Sequence, residues 1–369
     1  MKPPVRWLFC LNESNNLVNS VRKLIMKYMN TSCYHIDIQK SEYQEFKGSA
    51  SSNRNFQEFA KLAVAHTQSN DNTQEFIFND GSIVDSEFHI YKAHTPHWGV
   101  FCEKLSAELL HTQQASQRRI DHLDKKVTPG SLLLIHCKPL EANVDLLVLV
   151  KMEQEEFANV IDFEHQYGLP TEKKALNTAL IRFEDGEPTS LLVSRANAFW
   201  IKFLDIHPVR SDNVNTANAF NAIDSALRKV KRDGYKADHL ALRNHLITYL
   251  RNNQGKTVVY SELIDTVFGN HQPLDKRFLA EKFAEDLRSL PKKKKGKHAF
   301  DPHFQIDMAD VKAKRRTVIG LTDKIELNLK DGIENLDETI IPYEDGGRKG
   351  IIIFSDEGFD HFKKDEEDK

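Results

Sequence analysis

Two runs of cationic residues carry the side chains in this sequence that are best suited to bind a ligand. They are Lys292, Lys293, Lys294, Lys295 and Lys297 around Gly296, and then Lys312, Lys314, Arg315 and Arg316. Ammonium and guanidinium groups in a flexible segment neutralise phosphates and release counterions without reading bases. The runs therefore predict a polyanionic partner, with DNA and RNA as the commonest cases. The alternative is a solvated loop that only keeps the protein soluble.

Charge is divided unevenly along the chain. Residues 226–320 contain 21 Lys and Arg against 11 Asp and Glu, a net charge of +10 in a chain whose total is −3. The rest of the chain is therefore acidic, with a net charge of −13. Such asymmetry is typical of proteins that bind nucleic acid through one basic segment.

Two further groups near these runs favour a structural interpretation. Arg228, Lys229, Lys231 and Arg232 lie at the predicted end of a helix, where the helix dipole favours cations. Phe300, His303 and Phe304 follow the lysine run. Aromatic side chains can stack on single-stranded bases, but in this position they more often anchor a loop to the core.

Metal and catalytic chemistry have weak signals. His94, His97 and Cys102 offer three potential ligands, but structural zinc sites have tighter ligand pairs and a second pair nearby. A metal-dependent nuclease would need clustered carboxylates, whereas Asp145 and Lys151 lie about 20 Å apart along an extended strand. No phosphate-binding glycine loop or nucleophile elbow stands out. We therefore predict no metal, no cofactor and no enzymatic activity.

Composition indicates a folded protein of two or three domains. The 369 residues have 40% hydrophobic residues and a mean hydropathy of −0.52, values typical of soluble globular chains. The apolar stretch Trp7–Leu11 is shorter than the core of a signal peptide, and no apolar run is long enough for a membrane span. The four cysteines are scattered, so we expect reduced thiols and a cytoplasmic location.

The periodicity predicts an α+β fold. It consists of an N-terminal α/β region at residues 1–95, a central domain with a mixed or antiparallel sheet at 96–225, and a basic helical unit with terminal strands at 226–369. Ser131–Lys138 and Val144–Met152 read as paired core strands. Apolar spacing predicts helices at Leu17–Met29 and elsewhere along the chain. These other helices are Phe56–Thr67, Trp98–Ile120, Asn215–Ser225, Ala237–Asn252, Val259–Phe268 and Lys276–Leu290.

Several segments from about residue 95 to 362 occur together in the order and spacing of a known family. They are Ser131–Ile135, Val144–Lys151, Tyr167–Ala175, Ile181–Phe183, Ser194–Arg195, Phe199–Leu204, Asn215–Thr216, Ala219–Phe220, Lys324–Leu329, Ile340–Pro342 and Gly350–Phe354. Through them the chain resembles the 37-kDa nucleoid-associated (NdpA-like) proteins. The resemblance implies a cytoplasmic protein associated with the bacterial chromosome. The first 95 residues depart from the usual start of the family, which indicates a divergent member.

Together these observations predict non-catalytic, largely sequence-independent binding of duplex DNA in the nucleoid. The predicted contacts are Lys292–Lys295, Lys297, Lys312, Lys314, Arg315 and Arg316. A homodimer would double these contacts and bridge duplexes. Two alternatives remain open: an interaction or regulatory subunit of a phage-defence or mobile-element complex, with a protein partner bound through residues 1–95, and a metal-dependent nuclease.

Overall fold

The α+β class predicted from the sequence is confirmed. A computed structural model describes residues 26–46, 53–69, 73–93, 97–123, 127, 130–140, 143–153, 155–158, 165–168, 176–194, 196–291, 299–311 and 314–363. By internal contacts the chain divides into two compact units, and the three-part division made from the sequence stays a prediction. Unit 1 comprises Met1–Gln68, Phe78–Leu192 and Ala196–Ile206, and unit 2 comprises Ser69–Ile77, Val193–Arg195 and His207–Lys369.

The strands of the large sheet occur in the order β10-β3-β9-β8-β5-β4-β1-β2. Their bounds are β1 Met26–Asp37, β2 Glu42–Glu45, β3 Thr73–Phe78, β4 Gly130–Pro139, β5 Val144–Glu153, β8 Leu176–Glu184, β9 Glu187–Ser194 and β10 Ile206–Pro208. The pairs β1–β2, β1–β4, β4–β5 and β5–β8 are antiparallel. The predicted strand pair at 131–152 is thus confirmed as β4–β5, with Ser131 opposite Met152. A separate short hairpin pairs β6 Glu155–Ala158 with β7 His165–Gly168.

Side-chain alternation on β4 and β5 explains how unit 1 is layered. Helices α1 Arg54–Ser69, α2 Ile83–Ala93, α3 Trp98–Ile120 and α4 Ala198–Leu204 belong to this unit. On β4, Leu133, Ile135 and Cys137 join the apolar cluster that includes α1. His136 has the opposite parity, and its ring contacts Tyr91 on α2 and Trp98 on α3. Because successive strand residues point to opposite faces, α1 covers one face and α2 and α3 cover the other.

Unit 2 is built mainly of helices around its own core. Its elements are α5 Asp212–Arg232, α6 Lys236–Asn252, β11 Thr257–Val259, α7 Tyr260–Ile264, a π turn Asp265–Gly269, α8 Ala280–Arg288, β12 His303–Gln305, β13 Thr317–Thr322, β14 Ile325–Leu329, α9 Leu336–Thr339, β15 Ile340–Asp345, β16 Arg348–Ile353 and α10 Asp356–Phe362. Phe220 on α5, Leu246 on α6 and Phe268 in the π turn belong to one buried apolar cluster. This cluster fixes α5 and α6 side by side.

Helix predictions had mixed outcomes. The helix predicted at Trp98–Ile120 is confirmed with the same bounds, and those at Phe56–Thr67, Asn215–Ser225 and Ala237–Asn252 are confirmed as parts of longer helices. The helix predicted at Val259–Phe268 is divided between α7 and the π turn, and the one predicted at Lys276–Leu290 is confirmed only over Ala280–Arg288. The helix predicted at Leu17–Met29 is wrong over its last four residues, because Met26 begins β1 and pairs with Pro139; its other residues lie outside the described ranges. Within the described ranges, no helix has the length and apolar character needed to cross a membrane.

Candidate nucleic-acid interface

The described residues on either side of the first lysine run lie close together on unit 2. Residues 292–298, and therefore Lys292–Lys295 and Lys297, lie outside the described ranges. At the ends of this run, the amide N–H of Ala299 donates to the carbonyl oxygen of Pro291, with an N···O distance of 3.0 Å. The side-chain amide of Asn218 on α5 donates to the carbonyl oxygen of Ala299 at 3.3 Å. Pro291 and Ala299, the described residues on either side of the run, thus lie together beside α5.

A buried polar network holds the C-terminal end of this run. Asp301 is fully buried and accepts from Asn215 Nδ2 at 3.0 Å, while Asn215 Oδ1 accepts from the Asp301 amide at 3.0 Å. Arg210 pairs with both Asp301 (2.9 Å) and Glu75 (2.7 Å). Burial raises the pKa of Asp301, although the hydrogen bond from Asn215 and the charge of Arg210 oppose this shift. Residue 301 is therefore a fixed anchor.

The aromatic residues after the lysine run belong to the core. Phe300 and Phe304 are buried in the apolar cluster of unit 2, and the Phe300 ring meets Tyr260 edge-on with centroids 4.9 Å apart. This confirms the interpretation of these residues as anchors of the loop. Their burial in this structure leaves no ring face for stacking on bases.

The second cationic run is divided between different environments. Lys312 lies outside the described ranges. Lys314 is exposed, and its Nζ donates to Asn221 Oδ1 on α5 at 2.9 Å. Arg315 is half-buried and forms an ion pair with Asp331 at 2.5 Å. Arg316 is exposed and lines a pocket with residues of α5 and α6. Lys314 and Arg316 are the two residues of this run whose charge faces solvent without a described carboxylate beside it.

Arg243 on α6 fastens the 314–317 segment to the helices. Its Nε donates to Asp224 on α5 at 2.9 Å, and its terminal nitrogens donate to the Lys314 carbonyl oxygen at 2.7 Å and to the Thr317 hydroxyl. Asp224 also pairs with Arg228 at 2.7 Å. Since Arg243 and Asp224 are both buried, this guanidinium determines where Arg316 emerges.

The pocket beside this fastening has an excess of positive charge. It has a volume of about 270 Å³ and is lined by Asp224, Arg228, Lys231, His239, Arg243, Arg316, Thr317 and Val318. Four of these side chains are cations and one is a carboxylate. Burial lowers the pKa of His239 to about 4, with further lowering by Lys231, Arg243 and Arg228 that the charge of Asp224 only partly offsets. The imidazole is therefore neutral at pH 7.

Helix geometry places these features on one side of α5. Asn218 contacts the end of the lysine run, Asn221 contacts Lys314, and Arg228 lines the pocket. With about 100° and 1.5 Å per residue, Asn218 and Arg228 differ in direction by about 80° and lie about 15 Å apart along the axis. We call the combination of Arg228, Lys231, Lys314, Arg316 and the two ends of the lysine run the α5 basic strip.

Sequence reasoning missed the part that α5 and α6 play in this strip. Arg228 and Lys231 were interpreted as structural, yet they line the pocket with Arg316. The signal available was the polar repeat Asn215, Asn218, Asn221 and Asp224 beside the apolar Ala219, Phe220 and Ile223. Polar residues every three positions next to a buried stripe indicate a helix side that makes specific contacts.

The residues weighed for a nuclease have structural partners in unit 1. The Asp145 carboxylate accepts from His136 at 2.5 Å and pairs with Lys92 and Lys138, each at 3.1 Å. Burial disfavours its charged form, but these three partners outweigh burial and lower the pKa of Asp145. Lys151 is buried on the same strand, where burial lowers its pKa, and its Nζ lies 3.9 Å from Glu153.

The three potential zinc ligands do not form a described metal site. Cys102 is buried on α3, where burial raises the pKa of its thiol, and His94 lies outside the described ranges. Across the described parts of the chain, no group of three or more His, Cys, Asp or Glu side chains is arranged to hold a metal ion.

Comparison with known families gives one match. The family model described as nucleoid-associated protein YejK matches residues 104–353, which include all of the described α5 basic strip. No curated protein sequence matches the chain.

Proposed function

Because this chain belongs to the nucleoid-associated protein YejK family, we propose that it binds DNA through the α5 basic strip. The contacts are phosphate contacts, so binding is largely independent of base sequence. The residues are Lys292–Lys295, Lys297, Lys312, Lys314 and Arg316 from the two runs, together with Arg228 and Lys231. Arg315 contributes less, because Asp331 already neutralises its charge.

The positions of Lys314 and of the residues that flank the lysine run are the observation that supports this proposal. Ala299, which bonds Pro291 across the run, accepts from Asn218, and Lys314 donates to Asn221 about one turn further along α5. The 15 Å between Asn218 and Arg228 correspond to about four base pairs of duplex axis at 3.4 Å each. A strip of this length can follow a short stretch of phosphates on one strand.

Salt dependence of DNA binding tests the proposal. Replacing Lys292, Lys293, Lys294 and Lys295 with alanine removes up to four phosphate contacts. The slope of log K against log salt then becomes shallower by up to about 3.6. Fluorescence anisotropy with several unrelated 20-base-pair duplexes measures this slope between 50 and 200 mM salt. Affinity should fall by a similar factor for every sequence.

A double variant of unit 1, Lys40→Ala with Lys61→Ala, is the control for loss of positive charge elsewhere, with two cations removed instead of four. Both lysines are exposed at the surface of unit 1, so their removal lowers the net charge without touching the α5 basic strip. An unchanged slope in the lysine-run variant, or an equal loss in the control, would contradict the proposed role of the run. The same assay with single-stranded DNA and RNA identifies the preferred nucleic acid.

We propose that this action in the nucleoid is non-catalytic, because phosphate neutralisation by itself requires no bond-breaking group. The residues weighed for magnesium-dependent cleavage are engaged in the fold, with Asp145 held by His136 and two lysines. Incubation of supercoiled plasmid with magnesium or manganese tests this point. Nicking that co-purifies with the protein and disappears in Asp145→Asn would support the nuclease alternative instead.

We also propose that two copies associate through the β15–β16 hairpin. Pro342 on β15 has no backbone N–H, which disfavours pairing along the outer edge of β15. No described strand covers the outer edge of β16, so this edge is open to pairing. Ile351, Ile352 and Ile353 on β16 are exposed. Antiparallel pairing of β16 with its copy is self-complementary and closes after two chains.

Light scattering coupled to size exclusion tests this association. Ile352→Arg should shift the mass from two chains to one, because it places a charge in the paired edge. Leu274→Arg, at an exposed leucine elsewhere in unit 2, should leave the mass unchanged. A wild-type mass of one chain at 50 µM or above would refute the pairing.

A further inference from the structure

We infer that the pocket of the α5 basic strip is a discrete seat for one phosphate group, formed by Arg228, Lys231, His239 and Arg316. The inference rests on the proposed DNA binding and deepens it. The lysine run supplies charge along the backbone, whereas this pocket holds a single phosphate at a fixed position.

Uncompensated charge is the first argument for an anion. Asp224 is the one carboxylate that lines the pocket, and its two oxygens already pair with Arg228 and Arg243. Four cations around one carboxylate leave a net charge of +3 in the lining. Burial is the main cause of the lowered pKa of His239, and Lys231, Arg243 and Arg228 lower it further, in keeping with this excess of positive charge.

Rigidity is the second argument. Arg243 is committed to Asp224, to the Thr317 hydroxyl and to the Lys314 carbonyl oxygen, so the wall behind the pocket is fixed. Arg228 and Lys231 extend from the exposed side of α5 and can turn toward a ligand. Donors from two helices and from the 314–317 segment thus surround one space, which suits a tetrahedral oxyanion with several oxygens.

Size is the third argument. At about 30 Å³ per water, the pocket volume of about 270 Å³ corresponds to roughly nine water molecules. One phosphate with part of its hydration shell fits this space. Together with the excess of positive charge, this indicates a phosphate group as the ligand, from a DNA backbone, a DNA end or free phosphate.

Titration with inorganic phosphate at pH 7 tests the seat directly. Chloride is exchanged for phosphate at constant ionic strength, and the side-chain NMR signals of His239 are followed. Wild type should show a saturable shift, and the apparent pKa of His239 should rise on saturation because an anion now faces it. The double variant Lys231→Ala with Arg316→Ala should bind phosphate at least tenfold more weakly.

The double variant Lys229→Ala with Arg232→Ala is the matched control. It removes the same number of cations, and both residues are exposed on the same helix without lining the pocket. Far-UV circular dichroism confirms that both variants fold. A linear, unsaturable shift, or equal weakening by both variants, would overturn the inference.

Duplex binding distinguishes the source of the phosphate. Loss of affinity in the pocket variant for a closed circular duplex identifies a backbone phosphate, and loss only for linear duplexes with 5′-phosphates identifies a DNA end. Saturable phosphate binding with no change in DNA affinity identifies free phosphate as the source. If the lysine-run variant loses DNA binding while the pocket variant binds neither phosphate nor DNA differently from wild type, the seat is refuted and DNA binding by the strip stands.

Discussion

Replacing Arg243 with alanine should destabilise unit 2 and release the 314–317 segment. The change removes the buried partner of Asp224 and the donors to Thr317 and to the Lys314 carbonyl oxygen. Breaking a buried ion pair by removing one partner costs about 3–5 kcal/mol. Because Arg228 still pairs with Asp224 from the surface, we expect a loss near the lower end, about 3 kcal/mol of the free energy of unfolding.

The assay must report on unit 2 alone. Trp98 and Trp200, the two tryptophans in the described ranges, belong to unit 1, so their fluorescence follows that unit. Hydrogen exchange of peptides from α5, α6 and residues 314–322, combined with urea unfolding followed by far-UV circular dichroism, measures unit 2. Protection should fall in these peptides and stay constant in β4 and β5.

A double replacement provides the control for Arg243. Changing Arg243 and Asp224 together to leucine removes both buried charges, which is often neutral for stability, so the part of the loss that comes from breaking the ion pair should be recovered. Protection of residues 314–322 should stay low, because the donors to Thr317 and to the Lys314 carbonyl oxygen are still missing. A loss below 1 kcal/mol in the alanine variant, or restored protection of residues 314–322 in the double variant, would refute the assignment of Arg243 as the fastening of this segment.

Three further variants test the neighbouring contacts. The pKa of His239 is about 4 in the folded protein, below the unfolded value of about 6.5. The stability that the neutral imidazole contributes is therefore complete above pH 6.5 and is lost as the pH falls toward 4. Between pH 7 and 4, urea titration should show the free energy of unfolding falling about 1–3 kcal/mol more in wild type than in His239→Gln. Phe300→Ala should cost about 3–5 kcal/mol of stability, because its side chain is fully buried, yet leave the DNA affinity of the folded fraction unchanged in anisotropy; a selective loss of single-stranded binding would restore the stacking interpretation. Asp238→Ala should lower the free energy of unfolding by about 2–3 kcal/mol, because the buried carboxylate accepts from His271 and from the amides of Leu274 and Asp275. Hydrogen exchange should become faster at residues 271–275, and unchanged exchange there would count against the prediction.

Local sequence patterns were enough to predict elements that have a helical apolar stripe or a continuous apolar run. Helix α3 was predicted with its correct bounds because Phe101, Leu105 and Leu109 recur at helical spacing. The strands β4 and β5 were recognisable because both are buried on two faces and read as continuous apolar runs. By contrast, no element was predicted over 73–93, where β3 and α2 lie, although Val84, Phe88 and Tyr91 recur at helical spacing on α2.

Tertiary contacts explain the failures. Met26–Met29 were given to a helix from local spacing, but their backbone pairs with β4 more than 100 residues away, a contact that sequence periodicity does not contain. The pocket depended on the same kind of long-range information. Arg316 meets Arg228 and Lys231 only because Arg243 bonds the segment before β13, and no spacing rule connects residues so far apart.

Because Pro291 and Ala299 are hydrogen-bonded to each other, the number of lysines between them can change without a change in the surrounding fold. The hydrogen bond at 3.0 Å and the Asn215–Asp301 lock hold both ends in place, so residues added or lost between them change the loop closure entropy by only a fraction of a kcal/mol, on the order of (3/2)RT times the logarithm of the length ratio. Insertion or deletion of lysines between these anchors can thus change the electrostatic attraction to DNA by itself. The surrounding helices need no compensating substitution when the number of lysines changes.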